Sequence, residues 1–77
     1  MGRRSPASLD QANSLLRYGI ALAQGRGPVC TPDVRYGLLL DVVRDLDGWP
    51  WQARIMRAWL HRFMALHGRD IKREARP

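Results

Sequence analysis

Cysteine, long apolar runs and metal-binding patterns are nearly absent from the sequence, and each absence excludes a class of protein. Cys30 is the only cysteine, so the chain cannot form an internal disulfide. Neither His61 nor His67 has a second cysteine or a carboxylate cluster at metal-ligand spacing, so we expect no metal site. No stretch approaches the ~18 apolar residues that cross a bilayer, and no apolar run follows Arg3 and Arg4. We therefore expect a cytoplasmic protein without a signal peptide and without a membrane partner.

Acidic residues are also few, which leaves a strong positive charge. The 77 residues include 13 lysines and arginines but only 7 aspartates and glutamates, and the formal net charge is +6. All basic residues except Lys72 are arginines, whose planar guanidinium pairs bidentately with phosphate or carboxylate. This balance predicts an anionic partner, which could be nucleic acid, an acidic protein face or a membrane surface, and we expect one of the first two. A chain this short forms one domain with a small core, and a homodimer would be one way to bury its large apolar fraction.

Helix-start and helix-stop signals divide the chain into three predicted helices. The predicted starts carry a capping side chain or an early proline, at Ser8, at Thr31-Pro32 and at Pro50. The predicted ends carry glycine, at Gly25, Gly48 and Gly68. No segment has the alternating period of a strand. The sequence therefore predicts a compact all-α domain of three helices over residues 8–68, with disordered basic termini formed by an arm over 1–7 and a tail over 69–77.

Apolar residues recur at helical spacing in each predicted helix. In the second helix they cover much of the circumference, so we predict that this helix is the central one. Gly19 weakens the first helix relative to alanine, but it would also allow another helix to approach closely. Trp59 lies in the middle of the apolar face of the third helix, and we expect it in the core.

The third helix has the clearest charge pattern. Apolar residues four positions apart fill one half of it. The other half carries Arg54, Arg57, His61 and Arg62, and Arg69 follows just past the helix end. We predict that these five residues bind nucleic acid. No acidic residue lies between Gly48 and Arg69, so these cations lack the carboxylate partners that exposed helix faces normally contain. The single sign of charge favours binding of an anion.

Two tryptophans, Trp49 and Trp51, flank Pro50 at the start of the third helix. Tryptophans in this position can pack as a hydrophobic staple, stack on bases or mark a protein interface. We favour packing over base stacking for both.

Catalytic residue patterns are lacking. The cluster of Asp41, Asp45 and Asp47 is typical of ordinary helix-surface charge. No nucleophile, base and orienting group occur together in a recognisable pattern. We therefore expect a protein that is not an enzyme, with no catalytic residues and no cofactor.

Residues 33–42, in the predicted second helix, have the sequence Asp-Val-Arg-Tyr-Gly-Leu-Leu-Leu-Asp-Val. This segment resembles the pattern P-x-K-x-G-[IL]-x-x-D-[LIV] of the FinO/ProQ domain, a family of bacterial RNA chaperones. Arg35 stands for the lysine, Gly37 for the glycine and Asp41 for the aspartate. The proline is displaced by one position, to Pro32.

A second segment, in the third helix, resembles the same family. The pattern [LM]-R-x-x-[LI]-x-x-[YF]-[TC] is similar to residues 56–64, with Arg57 at the arginine and a departure at Met64. Together the two similar segments lie between Pro32 and His67. The resemblance implies an RNA chaperone that binds structured RNA, such as a stem-loop with a single-stranded tail, through a basic concave face. Arg35 and Arg57 then become the first candidates for RNA contacts.

Two other functions fit the sequence. The first is a small inhibitor or adaptor, of the kind that phages and plasmids encode, which binds an acidic host protein through Trp49, Trp51, Met56 and Met64. The second is a helix-turn-helix DNA-binding regulator, because the predicted second and third helices are joined by a short turn. Against that reading, the basic residues are spread along the third helix and are not concentrated near its start.

Overall fold

A computed structural model describes residues 5–71, which form three α-helices and a short 3₁₀ turn. The helices are α1 (Leu9–Ala23), α2 (Pro32–Asp45) and α3 (Pro50–His67), and the 3₁₀ turn is Gly68–Asp70. Because these residues contain no strand, the all-α class and the three predicted helices are confirmed. Residues 1–4 and 72–77 of the predicted basic termini lie outside the described part of the chain.

The first two helices begin at the predicted capping residues. Ser8 Oγ accepts a hydrogen bond from the Gln11 N–H at 3.2 Å, and Thr31 Oγ1 accepts one from the Val34 N–H at 3.3 Å. Each cap satisfies a backbone donor that has no partner inside the helix. Pro32 occupies the first position of α2, where the missing N–H of proline costs nothing.

Backbone hydrogen bonds close the end of α1. The Arg26 N–H donates to the Ala21 carbonyl at 2.9 Å, and the Gly25 N–H donates to the Leu22 carbonyl at 3.0 Å. Gly25 has a φ of 87°, in the left-handed region that glycine adopts without strain. This combination is a Schellman ending, and it turns the chain away from the helix axis into the loop before α2.

The three helices enclose one core, and each helix packs against both others. The buried apolar residues are Ala12, Leu16, Leu22, Leu39, Val42, Leu46, Ala53, Met56, Leu60, Phe63 and Ile71. Gly19 is buried where the helices meet: a Cβ there would overlap Met56 Sδ and lie 2.9 Å from Val42 Cγ1. The prediction that this glycine allows a close approach is confirmed.

One prediction about burial is wrong, and a second, that Trp59 lies in the core, is met only in part, because Trp59 packs against the core without being fully buried. The apolar residues of α2 do not make it the central helix, because each helix faces the two others and leaves its remaining side to water. Val34, at the start of α2, is accordingly 53% exposed. Trp59 is half-buried, because its ring lies at the edge of the core.

Packed residues extend past both predicted domain limits. At the C-terminal end Ile71, three positions beyond residue 68, is buried with 6% exposure. At the N-terminal end the Pro6 carbonyl accepts a hydrogen bond from Trp49 Nε1 at 3.2 Å. A single apolar residue among charged neighbours has no periodicity, so the sequence pattern could not identify Ile71 as part of the core.

Candidate nucleic-acid interface

The exposed side of α3 carries the basic side chains that the sequence predicted. The side chains of Arg54, Arg57, His61 and Arg62 are exposed on α3, and Arg69 is exposed in the following turn. These residues are called the basic face below. At 100° per residue, the members on α3 fall within an arc of about 140°. They therefore form one surface that runs along the length of the helix.

The buried side of α3 determines this orientation. Met56, Leu60 and Phe63 are buried in the core opposite the basic face. Gln52 is also buried, and its Nε2 donates a hydrogen bond to Asn13 Oδ1 on α1 at 3.0 Å. Because this polar contact and the apolar contacts hold α3 against its neighbours, the helix cannot rotate and the arginines remain in water.

The charges of the basic face differ from those of α2. α2 contains Asp33, Asp41 and Asp45, so its surface mixes both signs, whereas α3 contains no acidic residue. Among the side chains that the structure describes, none forms a hydrogen bond or ion pair with the guanidinium groups of Arg54 and Arg57. Exposed guanidinium groups without an internal partner keep all their N–H donors for an external anion.

Arg62 is the member of the basic face that contacts a ring. Its guanidinium carbon lies 4.7 Å from the centroid of the Trp59 ring, within the range of a cation–π interaction. The contact covers part of the half-buried Trp59 and restrains Arg62 without burying it. Arg62 therefore remains able to donate to an anion.

Arg35 lies elsewhere and does not belong to the candidate interface. It is 8% exposed, and its Nη1 donates to the carbonyls of Leu22 at 3.2 Å and Arg26 at 2.7 Å. Its Nη2 donates to the Pro28 carbonyl at 2.9 Å. The last turn of α1 has no basic residue of its own, so this guanidinium supplies the positive charge that helix C-termini favour. The prediction that Arg35 contacts RNA is therefore corrected: its donors hold the loop between α1 and α2.

The two tryptophans beside Pro50 have different environments. Trp49 is half-buried and its indole N–H donates to the Pro6 carbonyl, which agrees with the predicted packing role. Trp51 is 66% exposed, so the packing prediction is wrong for this residue. The sequence did contain a signal, because Trp51 lies three positions before Arg54 and seven before Ala58, on the polar half of the helix.

Trp51 borders a groove at the start of the basic face. Pro50, Trp51, Arg54 and Arg57 line this open depression, which is called the Trp51 groove below. Among the residues that the structure describes, its lining contains an aromatic ring and two guanidinium groups but no carboxylate. A neighbouring cleft shares Pro50 and Arg57 with the groove, but its lining also includes Asp47.

The residues of the predicted protein interface do not form one surface. Met56 is fully buried, so it cannot contact a partner, and its assignment to the interface is wrong. Met64 is half-buried against the core. Trp51 and Met64 are thirteen positions apart on α3, which corresponds to about 20 Å along the helix axis.

Comparison with protein-family models, with curated proteins and with solved structures gives no match for this chain. The resemblance to the FinO/ProQ domain therefore depends on the two short sequence segments alone. Among residues 5–71, no group of three or more His, Cys, Asp or Glu side chains is placed to hold a metal ion. In the same part of the chain, no helix is both long enough and apolar enough to cross a membrane.

Proposed function

We propose that this protein binds RNA through the basic face of α3, without catalysing a reaction. The observation that carries the proposal is that the exposed cations of α3 share one surface and have no acidic residue on their helix. Each arginine that neutralises a phosphate releases condensed counterions, which supplies most of the affinity of such surfaces. Arg54 and Arg57 are the principal contacts, and Arg62, His61 and Arg69 extend the surface.

Two observations favour RNA over a DNA duplex. The cations continue from Arg54, near the start of α3, to Arg69 beyond its end, whereas a recognition helix concentrates its base contacts near its N-terminus. The resemblance to the FinO/ProQ domain also implies RNA. Arg57 is the one candidate that this resemblance, the charge pattern and the exposure of the side chains have in common.

The function can be tested by electrophoretic mobility shift with a tailed RNA stem-loop and a matched DNA duplex, at low and at physiological salt. The test variant is Arg54→Ala/Arg57→Ala. The matched control is Arg17→Ala/Arg26→Ala, which removes the same charge from exposed positions on α1 and the loop after it. The proposal predicts preferential binding of RNA that the test variant loses and the control variant retains.

Other outcomes would favour the alternative functions. Stronger binding to the DNA duplex than to RNA would support a helix-turn-helix regulator. If the wild-type protein shifts neither nucleic acid at physiological salt, the proposal fails. In that case, an acidic protein partner that is recovered by pull-down with the wild type, but not with a variant of the exposed Trp51, would support the adaptor function.

A further inference from the structure

Trp51 is an exposed aromatic residue that lies outside the basic face and has no role in the phosphate contacts proposed above. Its side chain is 66% exposed, while Trp49 is half-buried with its N–H engaged and Trp59 is half-buried beneath Arg62. Tryptophan buries more apolar area than any other side chain when it is packed, so a solvated ring has an unused binding surface. Of the three tryptophans, Trp51 is the one whose side chain is classed as exposed, so its ring is the most open to an incoming planar group.

The neighbours of Trp51 determine which planar group fits. Arg54 and Arg57 line the Trp51 groove together with the ring, and no carboxylate from the described part of the chain lines it. The positive end of the α3 dipole lies at the same place, because Pro50 is the first residue of the helix. A ligand that combines a flat ring with a nearby negative charge satisfies all of these groups.

We propose that the Trp51 groove binds a single unpaired nucleotide of the RNA, whose base stacks on Trp51 while its phosphates contact Arg54 and Arg57. This inference rests on the proposed RNA-binding function and specifies which part of the RNA the site takes. Bases inside a duplex are stacked on one another and cannot cover a protein ring, whereas unpaired bases can. One available ring implies one stacked base, and stacking accepts any base because every base has a π-face.

The neighbouring cleft limits the site on one side. Its lining includes Asp47 as well as Arg44 and Arg57, so its charges are mixed. A phosphate backbone that leaves Trp51 is therefore favoured along Arg54 and Arg57 towards the rest of the basic face, because α3 contains no acidic residue. The unpaired nucleotide thus lies at one end of the bound RNA surface.

The test uses fluorescence anisotropy with two labelled RNAs that share one stem, one with unpaired nucleotides and one fully paired. The variants are Trp51→Ala, which removes the ring, Trp51→Leu, which keeps apolar area without a π-face, and Trp51→Phe, which keeps a smaller ring. Because Trp51 is exposed, all three variants should keep the helical circular dichroism of the wild type, which is measured as the folding control.

We expect Trp51→Ala to raise the Kd for the RNA with unpaired nucleotides by about 5-fold to 150-fold, the range of base–aromatic stacking. Trp51→Phe should recover much of this loss and Trp51→Leu should not, while the Kd for the paired RNA stays unchanged in all three. Quenching of tryptophan fluorescence on RNA binding should also decrease sharply in Trp51→Phe.

Two results would overturn the inference without affecting the proposed function. In the first, Trp51→Ala binds both RNAs as the wild type does, although Arg54→Ala/Arg57→Ala binds neither. In the second, Trp51→Leu binds as well as Trp51→Phe, which would mean an apolar contact, as with a protein partner, instead of stacking. If the wild type binds neither RNA at physiological salt, the proposed function fails and the inference fails with it.

Discussion

The junction between α1 and α2 and the basic face of α3 both depend on arginine, but they use it in opposite ways. At the junction, Arg35 is buried and donates three hydrogen bonds to backbone carbonyls. On the basic face, Arg54 and Arg57 are exposed and have no internal partner among residues 5–71. The position of an arginine on its helix, and not its sequence neighbours, decides whether it supports the fold or remains available to a ligand.

The largest expected effect is the loss of stability in Arg35→Ala. The substitution leaves three carbonyls without their charged donor and opens a space behind the loop. Hydrogen bonds to charged groups are worth more than neutral ones, and we expect the free energy of unfolding to fall by about 3 kcal/mol. Urea denaturation followed by circular dichroism measures this change.

Arg57→Ala is the matched control, because it removes the same charge from an exposed position. We expect it to change the free energy of unfolding by no more than about 0.5 kcal/mol. Equal losses of stability in the two variants would contradict the distinction between the junction and the basic face.

A pair of glycine substitutions separates packing from intrinsic helix propensity. In Gly19→Ala the new methyl group meets Met56 and Val42 in the core, so we expect a net loss of about 1 kcal/mol after the gain in helix propensity. In Gly37→Ala no atom lies within 4 Å of the new methyl group, so we expect a gain of about 0.5–1 kcal/mol. Thermal unfolding of both variants measures the effects, and a stabilised Gly19→Ala would mean that the three helices do not meet as closely as described.

The two tryptophans beside Pro50 give a smaller contrast. Trp49→Phe removes the indole donor to the Pro6 carbonyl, and we expect the free energy of unfolding to fall by about 1 kcal/mol. Trp51→Phe alters an exposed side chain and should leave stability within about 0.5 kcal/mol of the wild type. Chemical denaturation of the two variants tests this, and a greater loss in Trp51→Phe would show that its ring packs against the fold.

The smallest expected change in stability belongs to Arg54→Ala/Arg57→Ala. Both side chains are exposed on a helix, and alanine has a slightly better helix propensity than arginine. We expect the midpoint of thermal unfolding to stay close to that of the wild type while RNA binding is lost. A large drop in the midpoint would mean that the basic face contributes to folding.

The sequence predicted the helices well because their signals are local. The caps at Ser8 and Thr31, the early prolines and the glycine at the end of α1 act within a few residues, and the structure contains each of them. The charge pattern of α3 was also local, so the exposure of Arg54 and Arg57 followed from helical spacing alone.

The errors came from contacts between distant parts of the chain. Arg35 meets carbonyls that lie 7 to 13 positions earlier, and no pattern within its own helix could reveal them. Trp49 and Trp51 were both expected to pack because they flank Pro50 at a helix start. Among the described residues, Trp49 donates to the Pro6 carbonyl, whereas Trp51 is exposed. The burial of Ile71 likewise depends on where the chain returns after α3, which helix periodicity does not describe.

The most direct test of the account is the salt dependence of RNA affinity, measured for the wild type, for Arg54→Ala/Arg57→Ala and for the charge-matched control Arg17→Ala/Arg26→Ala. The logarithm of the binding constant falls linearly with the logarithm of salt concentration, by about 0.7 for each phosphate contact on a single strand. At low salt, where the weakened test variant still binds measurably, we predict that its slope is shallower by about 1.4 than that of the wild type, and that the control keeps the wild-type slope. If the slopes of the test variant and the control variant are equally shallow, the net charge, and not the basic face, attracts the RNA.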